Sequence, residues 1–422
     1  MHSIYYETSP TRKNYISTHF VELFNFLPID SRQTVNPGDA EKTLYALRLQ
    51  NHNRMSRQLT TAAKDGIFVY DGLDGDAWKR IADRGGALVL DLSTEVFYNR
   101  ADLVRGLHDG IAEAGLDPER VLLINNNMKS LHAYEHHRAA LGLPRGPRII
   151  PFNTCYWLVR GHNAATSDEV AQLTHRLNTA REAAQLNEKP YKFVSFNGRT
   201  RPHRLYALLK IFADGLFKEA LISFLGHENH EGTNVESLTR MLKKRYPDAA
   251  SLLPYIGEFA DLLPLTIDVT RDDARTAGAY KNTLPWASPS PEAYDQSYFS
   301  VVIDTSIQDD LLFLTPIAFK SFMNLSPFVY IGNPGGLQEL KRLGFMTFHP
   351  LIDESYDQEP DEYRRLSLCH AEIKRLCLLS PKKLREMYLE LWPVLEHNYR
   401  LIHNPDRSQL LREAETEIFA GI

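Results

Sequence analysis

Residues 192–206 read KFVSFNGRTRPHRLY, and the fold of the chain turns on how that stretch is understood. Phe193, Val194 and Phe196 make an apolar run that ends at Asn197-Gly198. Arg199, Arg201, His203 and Arg204 follow at once, and Leu205, Leu208, Leu209 and Phe212 then recur at helical spacing. The order predicts a strand, a glycine turn loaded with cations, and a helix. It places guanidinium groups and helix N–H donors at one rim of a sheet, where both favour a phosphate or pyrophosphate. A basic surface turn is the plain alternative. Two arginines clustered at a strand end repel one another unless an anion joins them, which favours the anion site.

The same alternation extends in both directions. Ile67–Tyr70, Ala87–Leu92, Val121–Ile124 and Arg148–Phe152 are short apolar runs, with helical patterns such as Ala101–Ala114 between them. Runs of this kind, buried on both faces and separated by helices, predict a parallel sheet built from βαβ units. Polar residues follow directly: Asp71, Asp91, Ser93-Thr94-Glu95 and Asn125-Asn126-Asn127. In open α/β sheets ligands sit at those carboxyl ends. Asp91 and Asp71 suit catalysis, but Asp at such a position also serves as a common helix N-cap.

Ser167–Lys189 reads as a polar helix joining two halves, after which the alternation restarts. Strands are expected at Lys192–Phe196, Ala220–Leu225, Tyr298–Asp304 and Phe328–Ile331, with a basic helix over Val235–Tyr246 and a long loop over 264–295. Asp304-Thr305-Ser306 closes one strand, and Thr315-Pro316 opens the next helix, with Thr315 as its expected N-cap and Lys320 along it. Phe328–Ile331 closes on Gly332-Asn333-Pro334-Gly335-Gly336, where glycines let a backbone approach a ligand or simply turn the chain.

The 192–206 element, the strand–loop–helix with its lysine, the Gly-x-Pro-Gly-Gly turn and LGFMTFHPLIDESYD together resemble a group of glycosyltransferases. These occur in phages and bacterial surface-sugar gene clusters and are fucosyltransferase-like, GT-B-type in outline. The resemblance covers residues 190–357 well and the first 190 only in general pattern. It implies an α/β chain of two Rossmann-like domains facing across a cleft: an acceptor-side domain over 1–188, a nucleotide-sugar-binding domain over 189–385, and C-terminal helices over 386–422. It also implies metal-independent sugar transfer with no cofactor beyond the nucleotide-sugar donor. The chain departs from the family where a Thr-Glu-Lys-x-x-Lys-like segment is usual. Pro316 and Ile317 stand at the Glu and first Lys, and Thr305-Ser306 stands for a Thr-Glu pair. Donor binding then differs in detail, or the chain is a non-catalytic nucleotide or sugar binder or a scaffold.

For transfer, Arg199, Arg201 and Lys320 are the candidates to meet the leaving diphosphate, with His203 adding a proton or hydrogen bond. Asn197, Arg204, Thr305, Thr315, Gly332, Gly335 and Gly336 complete the expected donor-binding set. Asp91 and Glu95, with Asp71 behind them, are the candidate bases for the acceptor hydroxyl. The acceptor is open among glycan, protein, lipid-linked saccharide and modified nucleobase.

Composition narrows the remaining classes. A chain of 422 residues is long for one core and suggests two domains of roughly 200 residues each. A formal charge of −5 gives no global reason for nucleic-acid binding. Three cysteines, Cys155, Cys369 and Cys377, include no CxxC pair and predict reduced thiols. The chain contains no HExxH; His136-His137 and His227-x-x-His230 lack ligand spacing, and Asp74 and Asp76 form a DxD in a glycine-rich loop. No run approaches the roughly 18 apolar residues of a membrane span, and a cytoplasmic protein is expected. Met387, Leu391 and Leu395 predict C-terminal helices that either pack on the first domain or form a homodimer contact.

Overall fold

A computed structural model describes residues 3–6, 30–31, 43–48, 79, 82–83, 85–92, 100–113, 115–163, 167–226, 234–267, 291–403, 409, 413 and 416. The chain is mixed α/β with two parallel sheets and divides into two compact units. Unit 1 comprises 1–161, 310–313 and 406–422; unit 2 comprises 162–309 and 314–405.

Unit 1 holds a six-stranded sheet of order β2-β1-β3-β4-β5-β6, every pair parallel. Its strands are β1 (Ser3–Tyr6), β2 (Asp30–Ser31), β3 (Thr43–Arg48), β4 (Ala87–Leu92), β5 (Val121–Asn125) and β6 (Arg148–Pro151). Helices α1 (Ala101–Glu113) and α2 (Ser130–Ala140) make the crossovers, and α3 (Thr154–Asn163) follows β6. All five residues of β5 are buried, as the unbroken apolar run VLLI requires of a strand covered on both faces. The expected strand at Ile67–Tyr70 lies outside the described residues.

Unit 2 begins with α4 (Ser167–Leu186), the expected polar connector, and carries a four-stranded parallel sheet of order β10-β9-β7-β8. The strands are β7 (Tyr191–Arg199), β8 (Ala220–Gly226), β9 (Ser297–Ile303) and β10 (Phe328–Ile331). Helices α5 (Pro202–Ala213), α6 (Val235–Arg245), α7 (Ile256–Asp261), α8 (Pro291–Asp295), α9 (Pro316–Met323) and α10 (Gly336–Arg342) alternate with them. Three more, α11 (Glu362–Cys377), α12 (Pro381–Glu390) and α13 (Trp392–His403), close the unit. The expected long loop is thus shortened at its end, because Pro291 starts α8; 268–290 lie outside the described residues.

Every residue of β9 and β10 is buried. Phe322 of α9 stacks on Phe345 at 4.4 Å and lies 5.1 Å from Phe328, which fixes α9 against β10. Such aromatic pairs each add about 0.5–1.5 kcal/mol beyond the area they bury. The apolar face of the C-terminal helices is spent inside the chain: Met387, Leu391 and Leu395 are all buried, α12 packs on α4 and β9, and α13 packs on α9. Residues 406–422 belong to unit 1. All three cysteines are free thiols. Among the described residues no helix is long and apolar enough to cross a membrane.

Residues 192–206 form a strand followed by a helix, but the turn is shorter than expected. β7 continues through Asn197-Gly198-Arg199, because β8 runs beside it with Asn197 opposite Phe224 and Arg199 opposite Gly226. Gly198 is a strand residue with no positive φ, and the turn is confined to Thr200-Arg201.

Candidate functional site

In unit 2 the chain leaves β7 toward β8 on one side, and β9 and β10 lie on the other. The carboxyl ends of β7 and β9 therefore flank a topological switch point, where open parallel sheets leave a crevice. Asn197 through Arg201 reach it from β7, and Asp304 through Ser306 from β9.

Asn197 is fully buried, and its amide is aligned by a hydrogen-bond chain. Its Nδ2 donates to Ser195 Oγ at 2.9 Å, and Ser195 Oγ donates to the Val301 carbonyl at 2.8 Å. The Asn197 Oδ1 is left without a partner, as is the buried Thr200 Oγ1 three residues on. Buried polar atoms are nearly always satisfied, so two orphans at one strand end call for a ligand or an ordered water. Arg201 is exposed at the N-cap position of α5, no side chain caps that helix, and Pro202 occupies its first turn. The described structure includes the backbone of Arg199, which ends β7, but not its side chain.

His203 and Arg204 are buried and face inward. His203 Nε2 donates to the Asp304 carbonyl at 2.9 Å, and Arg204 Nε donates to the Ile303 carbonyl at 3.2 Å. The first turn of α5 is thus tied to the end of β9 by bonds to main-chain carbonyls. Burial pushes the His203 imidazole from 6.5 down to about 3, so it is neutral at pH 7. The unfolded chain takes up this proton as pH falls below 6.5, whereas the folded chain resists it until about 3. His203 therefore contributes stability above pH 6.5 that is lost as pH falls through that window. A loss of about 2 kcal/mol between pH 6.5 and 5 is expected in urea unfolding. His203→Gln, which keeps a donor for the carbonyl, is expected to flatten that slope; an unchanged slope would remove His203 as its source.

Asp304, also fully buried, accepts from Thr305 N at 2.6 Å, Tyr330 Oη at 2.8 Å, Thr315 N at 3.3 Å and Thr315 Oγ1. Burial raises its pKa, and those four bonds oppose the rise. Thr315 stands at the N-cap position of α9, yet its hydroxyl makes no capping bond: it is spent on Asp304. Thr305 is half-buried at the same strand end. Lys320 lies in the last turn of α9, about 7 Å along the axis from Thr315.

The turn after β10 is satisfied from within. Gly335 N donates to the Asp357 carbonyl, and Leu337 N and Gln338 N donate to the Asp357 carboxylate at 2.8 and 3.1 Å. Asp357 thereby occupies the place an anion would take at the start of α10. Gly332 and Gly336 make room for the Tyr330 ring: a Cβ on either would lie 2.2 or 2.3 Å from its atoms. Gly335, at φ +85°, is the left-handed position of the turn. The Gly332 carbonyl accepts from buried Arg365, which also donates to the carbonyls of Ile307, Glu359 and Pro360. Arg365 is a residue that sequence reading missed. It gathers three turns with main-chain partners up to 58 positions away, a role no local pattern shows.

Of the candidate bases, Asp91 sits in β4 of unit 1, in register with Arg48 and Ile124. Its side chain is outside the described structure, as are Glu95 and Asp71 entirely. His227, His230, Asp74 and Asp76 are also outside. Among the described residues no three His, Cys, Asp or Glu side chains converge as metal ligands.

No protein-family model and no curated protein matches the chain. Among solved structures it is similar to a glycosyltransferase from Rickettsia africae ESF-5. That likeness has a TM-score of 0.37 and 8% sequence identity over 99% of each chain.

Proposed function

We propose that the protein is a glycosyltransferase using a nucleotide-sugar donor, with the donor's diphosphate held at the carboxyl end of β7 in unit 2. The observation that carries this is the contrast among helix starts. α10 carries its own Asp357 carboxylate and Thr315 at the head of α9 is bound to Asp304, whereas α5 begins without a side-chain cap beside exposed Arg201. The idle Asn197 Oδ1 needs a donor, and Thr200 Oγ1 can give or accept. A ligand bringing both an anion and hydroxyl or N–H donors fits this set, and a nucleotide sugar is such a ligand.

In the proposed reaction the bond from the anomeric carbon to the diphosphate breaks, the acceptor hydroxyl bonds to that carbon, and its proton passes to a base. Arg201, with Arg199 and Lys320, stabilises the charge on the departing nucleoside diphosphate. Asp91, Glu95 or Asp71 takes the proton, and no metal is required. Neutral His203 positions α5 and stays outside the proton transfer. A binding protein without turnover is the second reading, favoured by Pro316 at the first position of α9, where the resembled enzymes carry Glu.

Incubating the full chain with UDP-, GDP-, ADP- and TDP-linked hexoses, with and without a mixed glycan acceptor, should release free nucleoside diphosphate from one of them. Saturable binding without release under any acceptor would instead establish the binder.

A further inference from the structure

We propose that Arg245 is a further cation of the diphosphate site at the end of β7, that Glu362 holds it in reserve, and that a bound diphosphate takes its guanidinium from that carboxylate. The proposal rests on the donor-site reading and adds to it an internal competitor for the ligand.

Arg245 ends α6, and Glu362 begins α11. Two chains of contact bring the pair to the head of α5. Tyr246, the residue after Arg245, packs its ring on Tyr206 of α5 at 4.8 Å. Tyr363, the residue after Glu362, meets the same Tyr206 ring at 5.8 Å. Tyr206 follows Arg201 by about 7.5 Å along the helix axis. Arg365, one turn along α11 from Glu362, donates to the carbonyls of Ile307 and Gly332, which lie beyond the carboxyl ends of β9 and β10. Glu362 therefore stands on the carboxyl side of the sheet, as Arg201 does. Besides burial and its bond to Asp304, His203 in the first turn of α5 feels the charges of Arg204, Arg201 and Arg245.

Arg245 is open to a ligand, with 47% of its side chain exposed against 19% for Glu362. Glu362 accepts from Arg245 Nε at 3.1 Å, from its Nη2, and from Tyr246 Oη. An ion pair so open to water is weak and cheap to part. A diphosphate offers the same guanidinium a bidentate and more highly charged partner. Arg204 and Arg365, the buried guanidiniums of this rim, are spent on main-chain carbonyls. Arg245 differs from them: its partner is a side chain that a ligand can replace without disturbing the backbone.

Titration calorimetry on the full chain with UDP, GDP, ADP, CDP and TDP compares the parent with Glu362→Gln, Arg245→Ala and the double variant. Glu362→Gln keeps an acceptor for Tyr246 Oη but loses the charge that holds Arg245. It is expected to bind the parent's nucleotide about twofold to fivefold more tightly. Arg245→Ala should bind it at least about fivefold more weakly. The double variant should match Arg245→Ala, because without Arg245 the carboxylate has nothing to withhold. A gain that persists in the double variant would reduce Glu362 to plain repulsion of anions and overturn the proposal, as would unchanged affinity in both single variants. Should Glu362→Gln fail to fold, Arg245→Ala decides alone, and unaltered affinity there is the overturning result. Weaker binding in Thr200→Val/Arg201→Ala with no effect at Arg245 or Glu362 removes this proposal and leaves the donor site standing. A parent that binds none of the five nucleotides removes both.

Discussion

The double variant Thr200→Val/Arg201→Ala is expected to bind nucleoside diphosphates roughly tenfold to a hundredfold more weakly than the parent. Its stability should stay within about 1 kcal/mol of the parent. Arg201 is exposed and, although it stands at the N-cap of α5, its side chain makes no capping bond; exposed side chains outside such bonds rarely matter to folding. Thr200 Oγ1 is buried without a partner, so exchanging the hydroxyl for a methyl leaves no internal bond unmade. Loss of affinity without loss of stability is the mark of atoms held ready for a ligand. Titration calorimetry with UDP and GDP, paired with urea unfolding, reads both quantities. A variant that binds as the parent does would show that the β7 end is not the anion site.

Gly332→Ala is expected to destabilise the fold by about 3 kcal/mol, at the upper end of what overpacking usually costs. The added methyl would sit 2.2 Å from Tyr330 Cζ, and the ring cannot step aside. Tyr330 Oη donates to Asp304 at 2.8 Å, and the ring is buried among the strands. Truncating the obstacle should restore part of the loss: Gly332→Ala/Tyr330→Leu is expected to be less destabilised than the sum of the two single changes. Gly335→Ala makes the contrasting case. Nothing lies within 4 Å of its Cβ, so its cost is the left-handed backbone alone, about 1–2 kcal/mol. Urea unfolding of the four variants measures all of this, and strict additivity at Gly332 and Tyr330 would refute the packing account.

The same two glycines show what a sequence discloses and what it withholds. Gly332-Asn333-Pro334-Gly335-Gly336 is legible as a turn, and Gly335 behaves as a turn glycine. That Gly332 and Gly336 answer to the tyrosine preceding them depends on where the Tyr330 ring lies, which no spacing rule states. Likewise the carboxylate at the start of α10 comes from Asp357, some twenty residues downstream. Strand–helix alternation was readable wherever apolar runs stood between glycines and prolines: β4 to β10, α1, α5 and α6 lie where the pattern puts them. The extension of β7 through Arg199 was not readable, since it depends on β8 running alongside.

Charge was the harder thing to read. Arg199, which ends β7, and the three basic residues after it look alike in the sequence. Folding sends His203 and Arg204 inward to the carbonyls of Asp304 and Ile303 and leaves Arg201 in water. Helical periodicity does not contain that division: Arg201 stands at the N-cap, and positions 203 to 209 of α5 are buried on every side.

A thermal-shift series with UDP, GDP, ADP, CDP and TDP on the parent chain tests the centre of this account most directly. A nucleotide that binds the folded state alone should stabilise it by about 2.7 kcal/mol at 100 times its dissociation constant. One of the five is predicted to do so, and to lose the effect in Thr200→Val/Arg201→Ala. No shift with any of them at millimolar concentration would contradict the claim that the end of β7 exists to hold a diphosphate.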